Sequence, residues 1–112
     1  MKSENFTFIK TDKKLVKLYF DEITIIRSLG NYVEILTTEN KKYVYYKSLK
    51  DLIENLPDEF MRVHNSHIVN LNAVTRYIKG EGGYLTMSDG STVDVSRSRK
   101  ELLMQRLQPH KE

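Results

Sequence analysis

The chain has 112 residues, no cysteine, and 18 Lys and Arg against 15 Asp and Glu, a net charge of +3. That length fits one domain with a modest core, and a 39% hydrophobic content with 7 tyrosines and 4 phenylalanines is too apolar for a disordered tail. Disulfide staples and thiolate metal sites are excluded, no apolar run reaches the roughly 18 residues of a membrane span, and the polar start Met1-Lys2-Ser3-Glu4-Asn5 does not open a signal peptide, so a cytoplasmic protein is expected.

From the N-terminus, a tail over residues 1–5 precedes Phe6-Thr7-Phe8-Ile9-Lys10, which predicts a strand with Phe6 and Phe8 on one face. A turn at 11–14 leads to a return strand over Leu15–Tyr19, and Asp21-Glu22 break the pattern before a strand over Ile23–Ser28. Leu29-Gly30-Asn31 reads as a turn because Gly and Asn tolerate positive φ. Strands over 32–37 and 42–46 then form a hairpin through Glu39-Asn40-Lys41. The apolar spacing changes at Leu49, Leu52, Ile53 and Leu56, predicting a helix over 49–56 with Ser48 as N-cap and Pro57 as its stop.

Residues 60–63 are strand-like, and the polar stretch from there to Asn72 reads as irregular or turned, with no register fixed by pattern. A strand over 73–78 and a tight turn at Gly80-Glu81-Gly82-Gly83 follow. Strands over 84–87 and 92–95 pair across Asp89-Gly90. Ser96 is placed to cap a last helix carrying Leu102, Leu103 and Leu107, before a tail at 108–112. The expected fold is mainly β: one domain over 6–107, an elongated stack of small antiparallel sheets with nine or ten short strands, two short helices and mostly local pairing.

Two segments depart from what packing requires. Phe60-Met61-Arg62-Val63-His64-Asn65-Ser66-His67-Ile68-Val69-Asn70 places a cation and several hydrogen-bonding side chains among apolar anchors, and Ser96-Arg97-Ser98-Arg99-Lys100 is polar and basic. Arg, Asn, His and Ser are the side chains that read base edges and hold phosphates. An Arg such as Arg97 matches guanine O6 and N7, and an Asn such as Asn65 matches adenine N6 and N7, each with two bonds. The bland readings are a solvated arginine at Arg97, a turn-stabilising amide at Asn65, and a loop-ordering imidazole at His64. For Arg62 the structural reading is an ion pair with Asp58 or Glu59, and for Asn70 a bond to the sheet edge. His64 and His67 lack the third and fourth ligands that zinc needs, and Ser66 beside His67 is no triad, so neither a metal, a cofactor nor an enzyme is expected.

These pieces, together with Phe8-Ile9-Lys10, Ile23 through Arg27 leading into Gly30-Asn31-Tyr32-Val33, Ser48-Leu49-Lys50, and Val95-Ser96-Arg97, resemble the LytTR-type DNA-binding domain. That family is the output module of many bacterial two-component response regulators, and the resemblance runs from about Phe8 to Leu103. It implies an all-β protein that enters successive major grooves of double-stranded DNA with loops, commonly as two copies on a direct repeat. By matching positions it implies base contacts from Tyr32, Asn65 and Arg97. Contacts to the DNA backbone would come from Lys10, Asn31, His64, Ser66, Arg99 and Lys100.

Three positions differ from the family's usual residues: Asn65 stands where Arg is common, His67 where Tyr or Phe is usual, and Arg27 where an acidic residue is common. The resemblance is compatible either with an output domain joined to a receiver domain in a longer parent protein or with a stand-alone short regulator. Two other classes stay open on the residues alone. Tyr43, Tyr45 and Tyr46 could form a stacking patch for single-stranded nucleic acid, and a β-rich protein-interaction module would show an exposed sheet edge. The acidic Asp51, Glu54 and Asp58 make the first helix a poor recognition helix, which favours readout by loops.

Overall fold

The computed structural model describes residues 5–108, in ten strands and two α-helices. Strands β1 (Phe6–Lys10) and β2 (Leu15–Tyr19) form a two-stranded hairpin. A single 3-10 turn over Phe20–Glu22 leads into β3 (Ile23–Ser28), followed by β4 (Val33–Thr37) and β5 (Lys42–Tyr45). Helix α1 (Leu49–Ile53) precedes β6 (Phe60–His64) and β7 (His67–Asn70). After a second 3-10 turn at Leu71–Ala73 come β8 (Val74–Ile78), β9 (Tyr84–Met87), β10 (Thr92–Asp94) and α2 (Arg97–Leu107).

All pairings are antiparallel, and the sheets are ordered β1-β2, β5-β4-β3-β7-β6 and β10-β9-β8. The five-stranded sheet is the middle layer. One face packs Ile23, Ile26, Ile35 and Ile68 against Ile9 and Leu18 of the hairpin and Leu49 of α1. The other packs Ile25, Val63 and Val69 against Leu85, Met87 and Val93 of the three-stranded sheet and Leu103 of α2. Burial on both sides explains why Ile23-Thr24-Ile25-Ile26 shows no polar alternation: all four are buried. A bulge between Ile23 and Ile25 turns Ile23 and Ile26 to the same face despite their odd spacing.

Several local expectations are corrected. The stretch expected to be irregular contains β7, which pairs with β6 and, non-locally, with β3: Ile25, Ile26 and Arg27 face Val69, Ile68 and His67. Two tight anchors, Ile68 and Val69, hold it in the core at 0% exposure, and Asn70 closes it. Asn70 is buried yet satisfied, for its Nδ2 donates to the carbonyls of Phe20 (3.3 Å) and Ile23 (3.0 Å) and its Oδ1 accepts from the Asn72 N–H (2.9 Å). It clasps the sheet to the preceding 3-10 turn.

Helix α1 ends at Ile53, three residues earlier than Pro57 predicts, because Asn55 and Leu56 already turn back with i→i−3 bonds to Leu52 and Ile53. Its cap is as expected, with Ser48 Oγ accepting from the Asp51 N–H at 3.1 Å. Ser96 occupies the N-cap position of α2 but makes no side-chain cap, its hydroxyl meeting Arg99 instead. Phe6 and Phe8 do share a face, in edge contact at 6.0 Å, but it is the outer one, and Ile9 carries the core contact. Of the leucines of α2, Leu103 is buried, Leu107 packs beside it and Leu102 points to solvent.

Of the expected tails, only Asn5 and Gln108 lie among the described residues, and the Asn5 carbonyl accepts from the Phe20 N–H at 2.9 Å.

Candidate nucleic-acid interface

Strand register decides which loops meet. In the five-stranded sheet Ser28 faces Val33, Val33 faces Tyr45, Arg27 faces His67, and His64 faces His67. The β3–β4 turn, the end of β5 and the β6–β7 tip therefore share one end of the sheet. Two backbone bonds tie the neighbouring pieces together: the Ser28 N–H donates to the Ser66 carbonyl, and the Ser96 N–H donates to the Val63 carbonyl, both at 2.9 Å. The second places the start of α2 beside the β6–β7 tip. Tyr32, Asn65 and Arg97 are thus brought to one end by three separate segments.

The β3–β4 turn depends on Gly30, whose φ of 87° is open to glycine without strain, and on the Leu29 N–H donating to the Tyr32 carbonyl at 2.8 Å. Asn31 is exposed at its tip. Tyr32 is half-buried, and its ring meets that of Tyr46 edge-on at 5.5 Å. The tyrosine trio divides here. Tyr43 and Tyr45 pack against the core, while Tyr46, 73% exposed, leans on Tyr32.

The β6–β7 tip is held from inside. Arg62 makes no ion pair with Asp58 or Glu59; its guanidinium donates to the carbonyls of His64 (3.4 Å) and Asn65 (2.6 Å). Ser66 Oγ lies 3.0 Å from His64 Nδ1 and 2.8 Å from His67 Nδ1. Because the Ser66 N–H also donates to His64 Nδ1 at 3.2 Å, that nitrogen is an acceptor and the neutral ring keeps its proton on Nε2. Nε2 is then the ring nitrogen left to donate outward. His67 is partly buried, and burial first, then the nearby His64 and Arg27, lowers its pKa below the usual 6.5, with Asp94 opposing. Arg27 is itself neutralised by Glu34, its cross-strand neighbour, at 2.6 Å. The three unusual residues are thus neighbours at one site: Arg27 faces His67, and Asn65 lies two positions before it.

Arg97 opens α2, 76% exposed and only loosely paired with Glu81 at 3.8 Å. The 80–83 turn supports this segment from behind. The Val95 N–H donates to the Gly83 carbonyl at 3.0 Å, Lys100 Nζ donates to the Gly80 carbonyl at 3.3 Å, and Gly82 lies so close to Val95 that a Cβ there would sit 1.9 Å from its carbonyl oxygen. Arg99 reaches back across the site to Asn65 Oδ1 at 3.2 Å.

Lys10 is exposed at the end of β1, on the hairpin whose tip, at Thr11 and Lys14, shares an open groove with Lys42 of β5 and with Tyr46 just beyond that strand. It belongs to the Tyr32 side of the site and is not brought together with the rest. Helix α1 lies on the hairpin-side core and carries the chain from the Tyr46 end to the opposite end, where Phe60 faces Asn70, so Asp58 stands away from the three loops. Sequence reasoning missed Tyr46 and Glu81 as supports, and gave Arg62 a structural role with acidic partners in place of the His64 and Asn65 carbonyls. Their partners lie on other segments or are backbone carbonyls, which no local pattern signals.

Among the described residues no three His, Cys, Asp or Glu are placed to hold a metal ion, and no helix is long and apolar enough to cross a membrane. The candidate site is a surface of loop tips and a helix start, rich in donors and cations, rather than a cleft. The family model for the LytTr DNA-binding domain matches residues 13–108, and the chain belongs to that family of DNA-binding domains.

A solved structure of the LytTr DNA-binding domain of a protein described as a methyl-accepting/DNA response regulator, from Bacillus cereus, superposes with a TM-score of 0.82 at 23% identity, covering 94% of this chain and 98% of that one. The heme-containing CO-sensing transcriptional regulator RcoM 1 of Paraburkholderia xenovorans (strain LB400) is 36% identical over 98 residues, which cover 80% of this chain. The match spans 36% of that relative's length.

Proposed function

We propose that this domain binds double-stranded DNA sequence-specifically within a transcription regulator, placing the 29–32 turn, the β6–β7 tip and the start of α2 into successive major grooves. In this reading Tyr32, Asn65 and Arg97 contact base edges. Lys10, Asn31, His64, Ser66, Arg99 and Lys100 contact the DNA backbone and set the register. The observation that supports the reading is the pair of backbone bonds, Ser28 to Ser66 and Ser96 to Val63, which ties the three segments carrying Tyr32, Asn65 and Arg97 together at one end of the sheet. The basic, donor-rich character of that end supports duplex over a protein partner. The division of the tyrosines, with two of three packed on the core, weighs against a stacking patch for single strands. The domain serves as the output part of a two-component response regulator, joined to a receiver domain in a longer protein, and two copies occupy a direct repeat.

The test is selection from a randomised duplex pool, followed by anisotropy on the selected site with Arg97→Ala alongside. The expected outcome is a preferred duplex for the wild type, and loss of about 1–3 kcal/mol of base discrimination at one position in the variant. Equal weak binding to every duplex by the wild type would end this reading.

A further inference from the structure

Asn65 is held from two sides. The Arg62 guanidinium donates to its main-chain carbonyl at 2.6 Å, and Arg99 Nη1 donates to its side-chain Oδ1 at 3.2 Å. A guanidinium has donors only, so the atom facing Arg99 must be the oxygen of the amide and not its nitrogen. The side chain is exposed, and nothing but these contacts is needed to set its rotation. Arg99 is in turn steadied from its own helix by Ser96 Oγ at 3.3 Å. The link between Asn65 and Arg99 spans 34 residues of sequence and joins the β6–β7 tip to the first turn of α2.

Pairing with adenine through two bonds requires the amide to offer both an acceptor, for the N6 amino group, and a donor, for N7. With Arg99 in place the acceptor is already engaged. The lone pair left on Oδ1 lies beside a cation bearing further N–H donors, which repels an approaching amino group. What Asn65 and Arg99 then present together is a row of donors: Asn65 Nδ2 and the remaining guanidinium N–H groups. Such a row fits base edges rich in acceptors, which in the major groove are guanine O6 and N7 and thymine O4.

We infer that Arg99 is a positioning residue that fixes the Asn65 amide with its donor outward, so that the β6–β7 tip selects guanine or thymine rather than adenine. This rests on the duplex-reading function proposed above and goes beyond it by assigning how one base preference is set. The backbone role assigned to Arg99 is compatible with it only in part, since one of its terminal nitrogens is committed to Asn65.

The experiment compares selected duplex sites for the wild type, Arg99→Ala, Arg99→Lys and Asn65→Ala. The base position that Asn65 reads is the one whose preference disappears in Asn65→Ala. At that position the wild type is expected to select guanine or thymine. Arg99→Ala is expected to shift the preference toward adenine by about tenfold, the scale of one good bidentate pair. Arg99→Lys keeps the charge without the fork, so it is expected to keep most of the affinity and still lose the original preference.

A second reading needs no DNA. In the free protein the Asn65 side-chain NH2 resonances are expected to move in Arg99→Ala, while the Val63 and Ser66 backbone amides stay in place. Selection of adenine by the wild type, or variants that weaken every duplex equally with the preference unchanged, would overturn the inference and leave the duplex-reading function standing. A wild type with no preferred duplex would overturn both.

Discussion

The Ser66 hydroxyl holds two imidazoles at the tip of the β6–β7 hairpin, and this small network has a consequence for pH. Burial and the neighbouring His64 and Arg27 make folded His67 a weaker base than the same residue in the unfolded chain. Below about pH 6.5 the unfolded chain therefore binds more protons at this position than the folded one, so stability rises with pH there. His67's contribution is complete above the unfolded value of 6.5 and is lost as pH falls through the lowered folded value. Thermal unfolding followed from about pH 7.5 down to about pH 5 should show a falling Tm, and His67→Gln should fall less steeply because it has no proton to take up. Identical pH profiles for the two proteins would mean that His67 is as basic in the fold as outside it. His67 faces Arg27 across the sheet, and Asn65 lies two positions before it.

Between residue and whole molecule stand the turns that aim the site. The 80–83 turn has no base-reading residue, yet Val95, Arg97 and Lys100 all rest on it. Gly82→Ala would force a methyl group against the Val95 carbonyl, so the turn must back away from the start of α2. The expected cost is about 1–3 kcal/mol of stability, the usual penalty for overpacking. DNA affinity should fall as well, although no contacting side chain has changed. A variant with wild-type Tm and affinity would show that the turn yields freely and does not aim Arg97.

The elements themselves were legible in the sequence to different degrees. Hairpins marked by Asn40, with its φ of 62°, and by Asp89-Gly90 were readable because the turn chemistry is local. Strand β7 was not, because its only apolar pair, Ile68-Val69, is flanked by His67 and Asn70, whose partners lie across the sheet and in the Phe20–Glu22 turn. Helix α1 was drawn too long because Leu56 packs on the same core as Leu52 from a turn rather than a helix. The candidate site was legible as residue types in two segments. That Arg99 faces Asn65, and that Arg62 serves carbonyls instead of acids, depends on contacts that no spacing encodes.

At the scale of the molecule, two hydrophobic cores on opposite faces of one five-stranded sheet give a body of 46 × 34 × 25 Å. One turn of duplex is about 34–36 Å long, so on the proposed function a body of this size would cover roughly one turn, and a direct repeat would take two copies. The site's chemistry sets how that binding responds to salt. On the proposed function, an uncharged donor such as Asn31 would hold a phosphate without displacing counterions, whereas each cation on a phosphate would contribute a slope of about −0.9 in log K against log salt. Of the cations proposed to meet the DNA backbone, Lys10 is exposed, while Lys100 donates to the Gly80 carbonyl and Arg99 to Asn65 and Ser96, so these two have only part of their donors to offer a phosphate. A single copy on a half-site should therefore show a shallow slope, about −2 to −3. Lys10→Ala or Lys100→Ala should each reduce it by about one unit while leaving the selected sequence unchanged. On the full repeat the slope should roughly double, because a second copy brings its own cations to the second half-site. Anisotropy titrations on both duplexes across a range of salt decide it. Equal slopes on half-site and repeat would mean that one copy binds both alike, and a steep slope on the half-site would place more cations on phosphate than this end of the sheet has free.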